Sequence, residues 1–183
     1  MAKNPERRFD ITGLKVMQTA LKKMTDGHYT VQVGVFGDKA MRKGDDDKGL
    51  TNAEIGLIQE MGSVEKHIPR RSFLWDTFVN HGKDLLPILK TPVETLLKTG
   101  KVDEYMKIVG IAATNLVVEA FQTSGWGAWP ANAYSTLLGK LKGSLAKRRQ
   151  MAAEVMYEGA THAKPLIKTG QLWQAISFRT RRA

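Results

Sequence analysis

The chain contains no cysteine. That single absence excludes a disulfide framework, a zinc–thiolate centre and a cysteine nucleophile. Folding must then rest on an apolar core, and 183 residues are enough to bury one without a metal or a cross-link. A cysteine-free chain suits a reducing cytoplasm. Apolar runs are short as well, none approaching the ~20 residues that a membrane-spanning helix needs. The start, Met1-Ala2-Lys3-Asn4-Pro5-Glu6-Arg7-Arg8, carries charge with no apolar stretch behind it, so a signal peptide is not expected. Histidine is sparse, and His28, His67, His81 and His162 show neither HxxxH nor HExxH spacing.

Acidic side chains thin out along the chain. Residues 1–100 hold 16 basic and 13 acidic side chains, residues 101–183 hold 12 and 5, and the formal net charge is +10. After Phe121 the only acids are Glu154 and Glu158. A basic C-terminal third points to a polyanionic neighbour, either nucleic acid or an acidic protein face. The plain alternative is a solvated surface that keeps the protein soluble. Lys140, Lys142, Lys147, Arg148 and Arg149 are the candidate phosphate-facing cations, and Trp126, Trp129 and Tyr134 precede them. Aromatics among cations can stack on single-stranded bases. Tryptophans in a loop more often pack it onto the core or fill a subunit contact, and that reading is preferred for Trp126 and Trp129.

Motifs that would carry chemistry are missing. Thr99-Gly100-Lys101 resembles the end of a P-loop but lacks the earlier glycine and the following Ser or Thr. Gly34-Val35-Phe36-Gly37 is followed by a charged loop rather than the helix a dinucleotide fingerprint needs. No GxSxG elbow occurs. Asp45-Asp46-Asp47 invites a calcium reading, yet Gly49 stands where a third ligand belongs and no closing Glu follows. No catalytic, cofactor-binding or metal-ligating residue is assigned, and an enzyme is not expected.

What is present is an ordered set of periodic segments. Leu14, Met17, Leu21 and Met24 recur at helical spacing, predicting a helix over residues 10–25 with Asp10 or Thr12 as its cap. Tyr29, Val31, Val33 and Val35 alternate with Thr30, Gln32 and Gly34, the period of a half-buried strand over residues 29–37. Thr51-Asn52-Ala53-Glu54 is a capping box, with Ile55, Leu57, Ile58 and Met61 in the short helix behind it. From Phe73 to Leu89 a helical rhythm resumes, and a kink or break is expected near Pro87 or Pro92. Residues 102–121 carry a broad apolar stripe, with Asp103 and Glu104 in the first turn. This is the expected central helix, packed on two sides. Ser124 to Pro130 opens an irregular region, and residues 144–157 form a candidate helix bearing Lys147-Arg148-Arg149. After a turn and one helical turn at residues 165–173, Ile176, Phe178 and Thr180 alternate as a closing strand. A lone strand leaves its backbone groups unpaired, so it is expected to pair with residues 29–37. The predicted class is α+β: one domain over residues 1–183, a small antiparallel sheet, a long central helix and flanking helices, with a basic extension at about residues 124–164.

A rigid corner divides the two halves. The first pattern ends at Glu60-Met61-Gly62, and the second begins at Phe73 within His67-Ile68-Pro69-Arg70-Arg71-Ser72-Phe73-Leu74. Pro69 fixes its own φ and pushes Ile68 into extended conformation. Phe73 is expected in the core. Arg70 and Arg71, which cannot lose their charge, are expected to make a contact between subunits or within the loop.

Taken in order, these segments resemble the tailed-bacteriophage neck proteins of the tail-completion and head–tail joining type, the virion morphogenesis family. The resemblance rests on Val31-Gln32-Val33-Gly34-Val35, Gln59-Glu60-Met61-Gly62, the Ile68–Leu74 corner and Trp129-Pro130 with Thr136 and Lys140. It closes with Pro165-Leu166-Ile167-Lys168-Thr169-Gly170-Gln171-Leu172-Trp173-Gln174-Ala175-Ile176 and covers roughly residues 10–180. Gln59 stands where the family has Asn, and the Lys140–Lys164 connection is longer than the family's, so no role is carried over to Lys147-Arg148-Arg149. Within the matched segments Gly34, Gly62, Pro69, Phe73, Thr169, Gly170 and Leu172 are the structural markers. The resemblance implies a structural virion protein made in the host cytoplasm, forming a ring around the DNA channel at the head–tail junction. Rings of six are common in such necks, and rings of twelve also occur. The implied partners are further copies of itself, the head connector or adaptor, the tail terminator or tail tube, and non-specific DNA, with no cofactor and no membrane. Candidate subunit contacts are Arg70, Arg71, Trp126 and Trp129. The alternative is a DNA-binding accessory module using the basic C-terminal third.

Overall fold

A computed structural model describes residues 12–41, 49–141, 143–157, 166 and 170–182, with the backbone alone for Lys140 and residues 155–157. The fold is α+β: helices α1 (Thr12–Asp26), α2 (Asn52–Met61), α3 (Trp75–His81), α4 (Leu85–Thr99), α5 (Val102–Thr123), α6 (Tyr134–Lys140), α7 (Leu145–Tyr157) and α8 (Gln171–Ala175), with strands β1 (Tyr29–Val35) and β2 (Ile176–Arg182).

The two strands pair antiparallel from Tyr29↔Arg182 to Val35↔Ile176. The ribbon lies on α5, and its inward residues split between two core clusters. Val33 and Val35 join Phe73, Val117, Phe121, Leu172 and Ile176, while Tyr29 and Val31 join Ala20, Leu96, Val102 and Met106. Helix α5 thus runs past both clusters, as the width of its apolar stripe requires. At Gly110 the ring of Phe178 lies directly on the helix backbone, 2.1 Å from where a Cβ would stand. Any side chain there would push the ribbon off α5.

The capping box at α2 forms in full. Thr51 Oγ1 accepts from the Glu54 N–H at 3.1 Å, and the Glu54 carboxylate accepts from the Thr51 N–H at 2.8 Å. The Thr51 N–H, and then the Thr51 hydroxyl donating at 2.9 Å, hold the Glu54 carboxyl below its ordinary range.

The second half departs from expectation in two places. No break falls at Pro87 or Pro92, since α4 is continuous from Leu85 to Thr99. Pro87 lies in the first turn, where an N–H has no intrahelical acceptor anyway. Pro92 sits inside the helix, whose apolar side is held by packing on α1 and α5. The interruption comes earlier, as a tight 3-10 turn at Gly82–Asp84. The region after Pro130 is also less irregular than its sequence: α6 forms there with Leu137 buried, and α7 packs on α6. No side chain caps α6, so there was no start signal to read. Among the described residues no helix is long and apolar enough to cross a membrane, and no cluster of three or more His, Asp or Glu could hold a metal.

Candidate functional site

The corner between α2 and α3 is where the chain's unusual chemistry gathers. Gly62 ends α2 at φ +73° and ψ 178°. A Cβ there would lie 2.8 Å from the Arg70 N and 3.1 Å from the Ile68 carbonyl oxygen, so only glycine lets the return strand pass. Ser63 and Ile68 then exchange both backbone bonds at 2.8 Å, closing a small hairpin. Pro69 follows the bridge, and the Arg71 N–H returns to the Gln59 carbonyl at 2.8 Å.

Glu60 locks the far side of this corner. Its carboxylate accepts from the Phe73, Leu74 and Trp75 N–H groups at 2.9, 3.0 and 2.9 Å, and from the Ser72 hydroxyl at 2.5 Å. Ser72 Oγ in turn accepts from the Asp76 N–H at 2.9 Å. The first turn of α3, which has no cap from its own flanking residue, is therefore capped by a carboxylate on the last turn of α2. The sequence reading placed Glu60 in the corner without giving it this task. No local spacing marks it, because the acid precedes the helix by fifteen residues.

The arginine pair divides. Arg70 is exposed and meets Asp76 in a bidentate pair at 2.9 and 2.7 Å, which pushes its pKa further up. Arg71 is buried at 6% exposure and donates to the backbone carbonyls of Pro130 and Ala131 at 3.0 and 2.8 Å. Burial pulls its pKa down. No carboxylate meets it among the described residues. Arg71 straps the corner to the loop after α5, so its guanidinium is committed within its own chain.

That loop is held from both sides. The Trp129 N–H returns to the Ser124 carbonyl at 3.1 Å, its ring meets Phe121 edge-on at 5.7 Å, and its Nε1 donates to the Ser72 carbonyl at 3.3 Å. Trp126 stacks on His81 with ring centroids 3.6 Å apart. Phe73 is 1% exposed and 5.0 Å from the Phe121 ring. Both tryptophans thus pack the loop onto the body, and Phe73 takes the core position expected of it.

Beside the corner runs an open apolar groove of ≈ 750 Å³ lined by Val33, Glu60, Met61, Arg70, Leu74, Trp75, Phe78 and Val79. Its walls hold large apolar side chains turned to solvent: Met61 and Trp75 are each 69% exposed and Val79 63%. Leu57, one turn before Met61, is exposed too. Of the four residues expected at a subunit contact, only Arg70 lines this groove. Trp75 and Met61 were not singled out from the sequence. The usable signal was the i,i+4 pairs Leu57/Met61 and Trp75/Val79, which give α2 and α3 more apolar residues than one buried face holds.

The described part of the basic tract does not form one surface. Arg148 turns inward to the Leu138 carbonyl at 3.2 Å, whereas Lys147 and Arg149 are exposed on α7. Lys142 and Thr169 lie outside the described residues, as do Asp10 and Asp45 to Asp47, and the Lys140 side chain does too. Gly34 is buried beneath the Phe36 ring, Gly170 stands at the start of α8 with φ +77°, and Leu172 is in the core.

No family model matches the chain, and no curated protein or solved structure matches it at a significant level. What the geometry defines is an α+β protein with a braced corner and an uncovered apolar groove alongside it.

Proposed function

We propose that this chain is a structural virion protein, a subunit of the ring that joins head to tail in a tailed bacteriophage. The observation that carries the reading is the groove beside the corner. Contiguous exposed Met61, Trp75 and Val79 over a floor of Leu74 and Phe78 suit a face that another subunit covers. A closed ring needs a heterologous contact, in which one face of each copy meets a different face of the next. The corner's bracing supports the same reading: Glu60, Arg71 and the Gly62 turn fix the groove's wall, so little order is lost on assembly. The resemblance in motif order supplies the place, the head–tail junction of the virion, and a ring of six, with twelve as the other size.

Mass photometry of the purified protein, followed by electron microscopy after mixing with heads or tails, tests this. The wild-type chain is expected to form a defined ring, or to join particles from the monomer. Trp75→Glu is expected to abolish assembly while leaving the unfolding midpoint within error, because the side chain is already mostly in solvent. Arg70→Ala is expected to impair assembly more than folding. A wild-type chain that stays monomeric and joins neither heads nor tails sinks the proposal.

A further inference from the structure

We infer that the outer face of the β1–β2 ribbon binds the phosphate backbone of a nucleic acid, through Arg179 and Arg181. The fourteen residues of the two strands include three arginines, Arg179, Arg181 and Arg182, and no acid. In the observed register Gln32 faces Arg179 and Thr30 faces Arg181, so these four share the face turned away from α5. All four are exposed.

Two features separate this face from an ordinary solvated one. First, one of its arginines is held by an aromatic ring: the Arg179 guanidinium lies over Phe36 at 4.6 Å. Arg182, opposite Tyr29 at the ribbon's end and on the other face, lies over that ring at 5.8 Å. A ring orients the guanidinium plane without using its N–H donors and without cancelling its charge. Among the described residues none of the three arginines meets a carboxylate. Second, residues two apart on one face of a strand repeat every ~6.8 Å. Arg179 and Arg181 therefore present two forks in a row, each matched to bidentate binding of a phosphate. Gln32 and Thr30 add neutral donors alongside.

The contact reads charge and spacing, not bases. It moves the expected polyanion site from the 140–149 tract, where Arg148 is turned inward, to the ribbon. The inference rests on the reading that this protein meets DNA, yet it needs no ring.

Fluorescence anisotropy with a labelled duplex of mixed sequence, about thirty base pairs long, tests it on the full chain. Arg179→Gln with Arg181→Gln is expected to weaken binding at least tenfold at about 100 mM salt and to lower the slope of log K against log salt by roughly 2, about 0.9 per lost phosphate contact. Lys147→Gln with Arg149→Gln is expected to change affinity less than twofold, with the far-ultraviolet spectrum and unfolding midpoint of both variants matching the wild type. Loss of affinity in the α7 variant alone, or equal affinity in the ribbon variant, overturns the assignment. So does binding of poly-glutamate as tight as that of DNA, which would mark an acidic protein partner. Rings without DNA affinity at low salt refute this inference and leave the assembly reading standing. DNA affinity through the ribbon without rings does the reverse.

Discussion

Replacing Glu60 with alanine removes one acceptor group from four donors at once. The outcome depends on which donors can find water. Trp75 is exposed and Leu74, half-buried, lines the open groove, so their N–H groups can reach water; the Ser72 hydroxyl and the Phe73 N–H belong to residues that are 3% and 1% exposed. Two polar groups then stay dry, at roughly 1–3 kcal/mol each, so the expected loss is about 3–4 kcal/mol. Glu60→Gln is milder. Turned so that its amide nitrogen replaces Oε1, it keeps an oxygen for the Phe73 and Leu74 N–H groups and makes the Ser72 hydroxyl an acceptor, while the Trp75 N–H, which shared Oε1, must turn to water, for a loss of about 1 kcal/mol. Urea unfolding of the full chain reads the difference. With a dependence of about 1–3 kcal/mol per molar, Glu60→Ala is expected to lower the midpoint by roughly 1–4 M and Glu60→Gln by about a third of that. Glu65→Ala, at an exposed acid in the adjoining hairpin, serves as the reference. If Glu60→Ala behaves like Glu65→Ala, the carboxylate does not cap α3 and the account of the corner fails.

Phe73→Ala deletes a ring that is 1% exposed between Phe121 and Leu172, and a loss of about 3–5 kcal/mol in chemical denaturation is expected. Gly62→Ala combines a left-handed φ of +73° with a Cβ 2.8 Å from the Arg70 N; a loss of about 2–4 kcal/mol is expected, and a fully stable variant would refute the steric argument. The Glu54 carboxyl titrates below its ordinary 4.5 because it accepts first from the Thr51 N–H and then from the Thr51 hydroxyl. Its contribution is therefore present above that value and lost as pH falls through the lower folded one. Amide exchange at the start of α2 is expected to quicken on that acid limb, and Glu54→Gln to flatten it.

The elements that the sequence announced are those whose signals are local. The alternation from Tyr29 to Val35, the Thr51–Glu54 box and the stripe from Val102 to Phe121 each fix a structure within a few residues, and each is found. Pairing of β1 with β2 across the length of the chain was readable too, because two lone strands have few other ways to satisfy their backbones. Where the reading failed, a distant partner decides. Pro87 and Pro92 signal a kink or break, yet α4 runs unbroken through both, packed on α1 and α5. Glu60 resembles any helix-end acid until the chain turns back at Gly62 and brings three N–H groups to it. The groove escaped notice for a related reason. Trp75 sits at the start of a helical rhythm, and periodicity alone does not say which apolar positions will find a neighbour within the chain.

The adjacent arginines carry this point furthest. In extended backbone, successive side chains leave on opposite sides. Pro69 keeps the segment extended, so one arginine must face solvent and the next must face the body. Arg70, outside, has a carboxylate within reach and lines the groove. Arg71, inside, has only backbone carbonyls, which hold its charge less well than an ion pair but bind the loop after α5 to the corner. Lysine at position 71 would keep the charge, but as a point charge it could not reproduce the fork that spans two carbonyls. The same alternation in β2 sends Arg179 and Arg181 outward and Phe178 onto Gly110. In both segments neighbours in sequence end on two surfaces: Arg71 and Phe178 hold the body together, while Arg70, paired with Asp76, and Arg179 and Arg181 are turned to solvent.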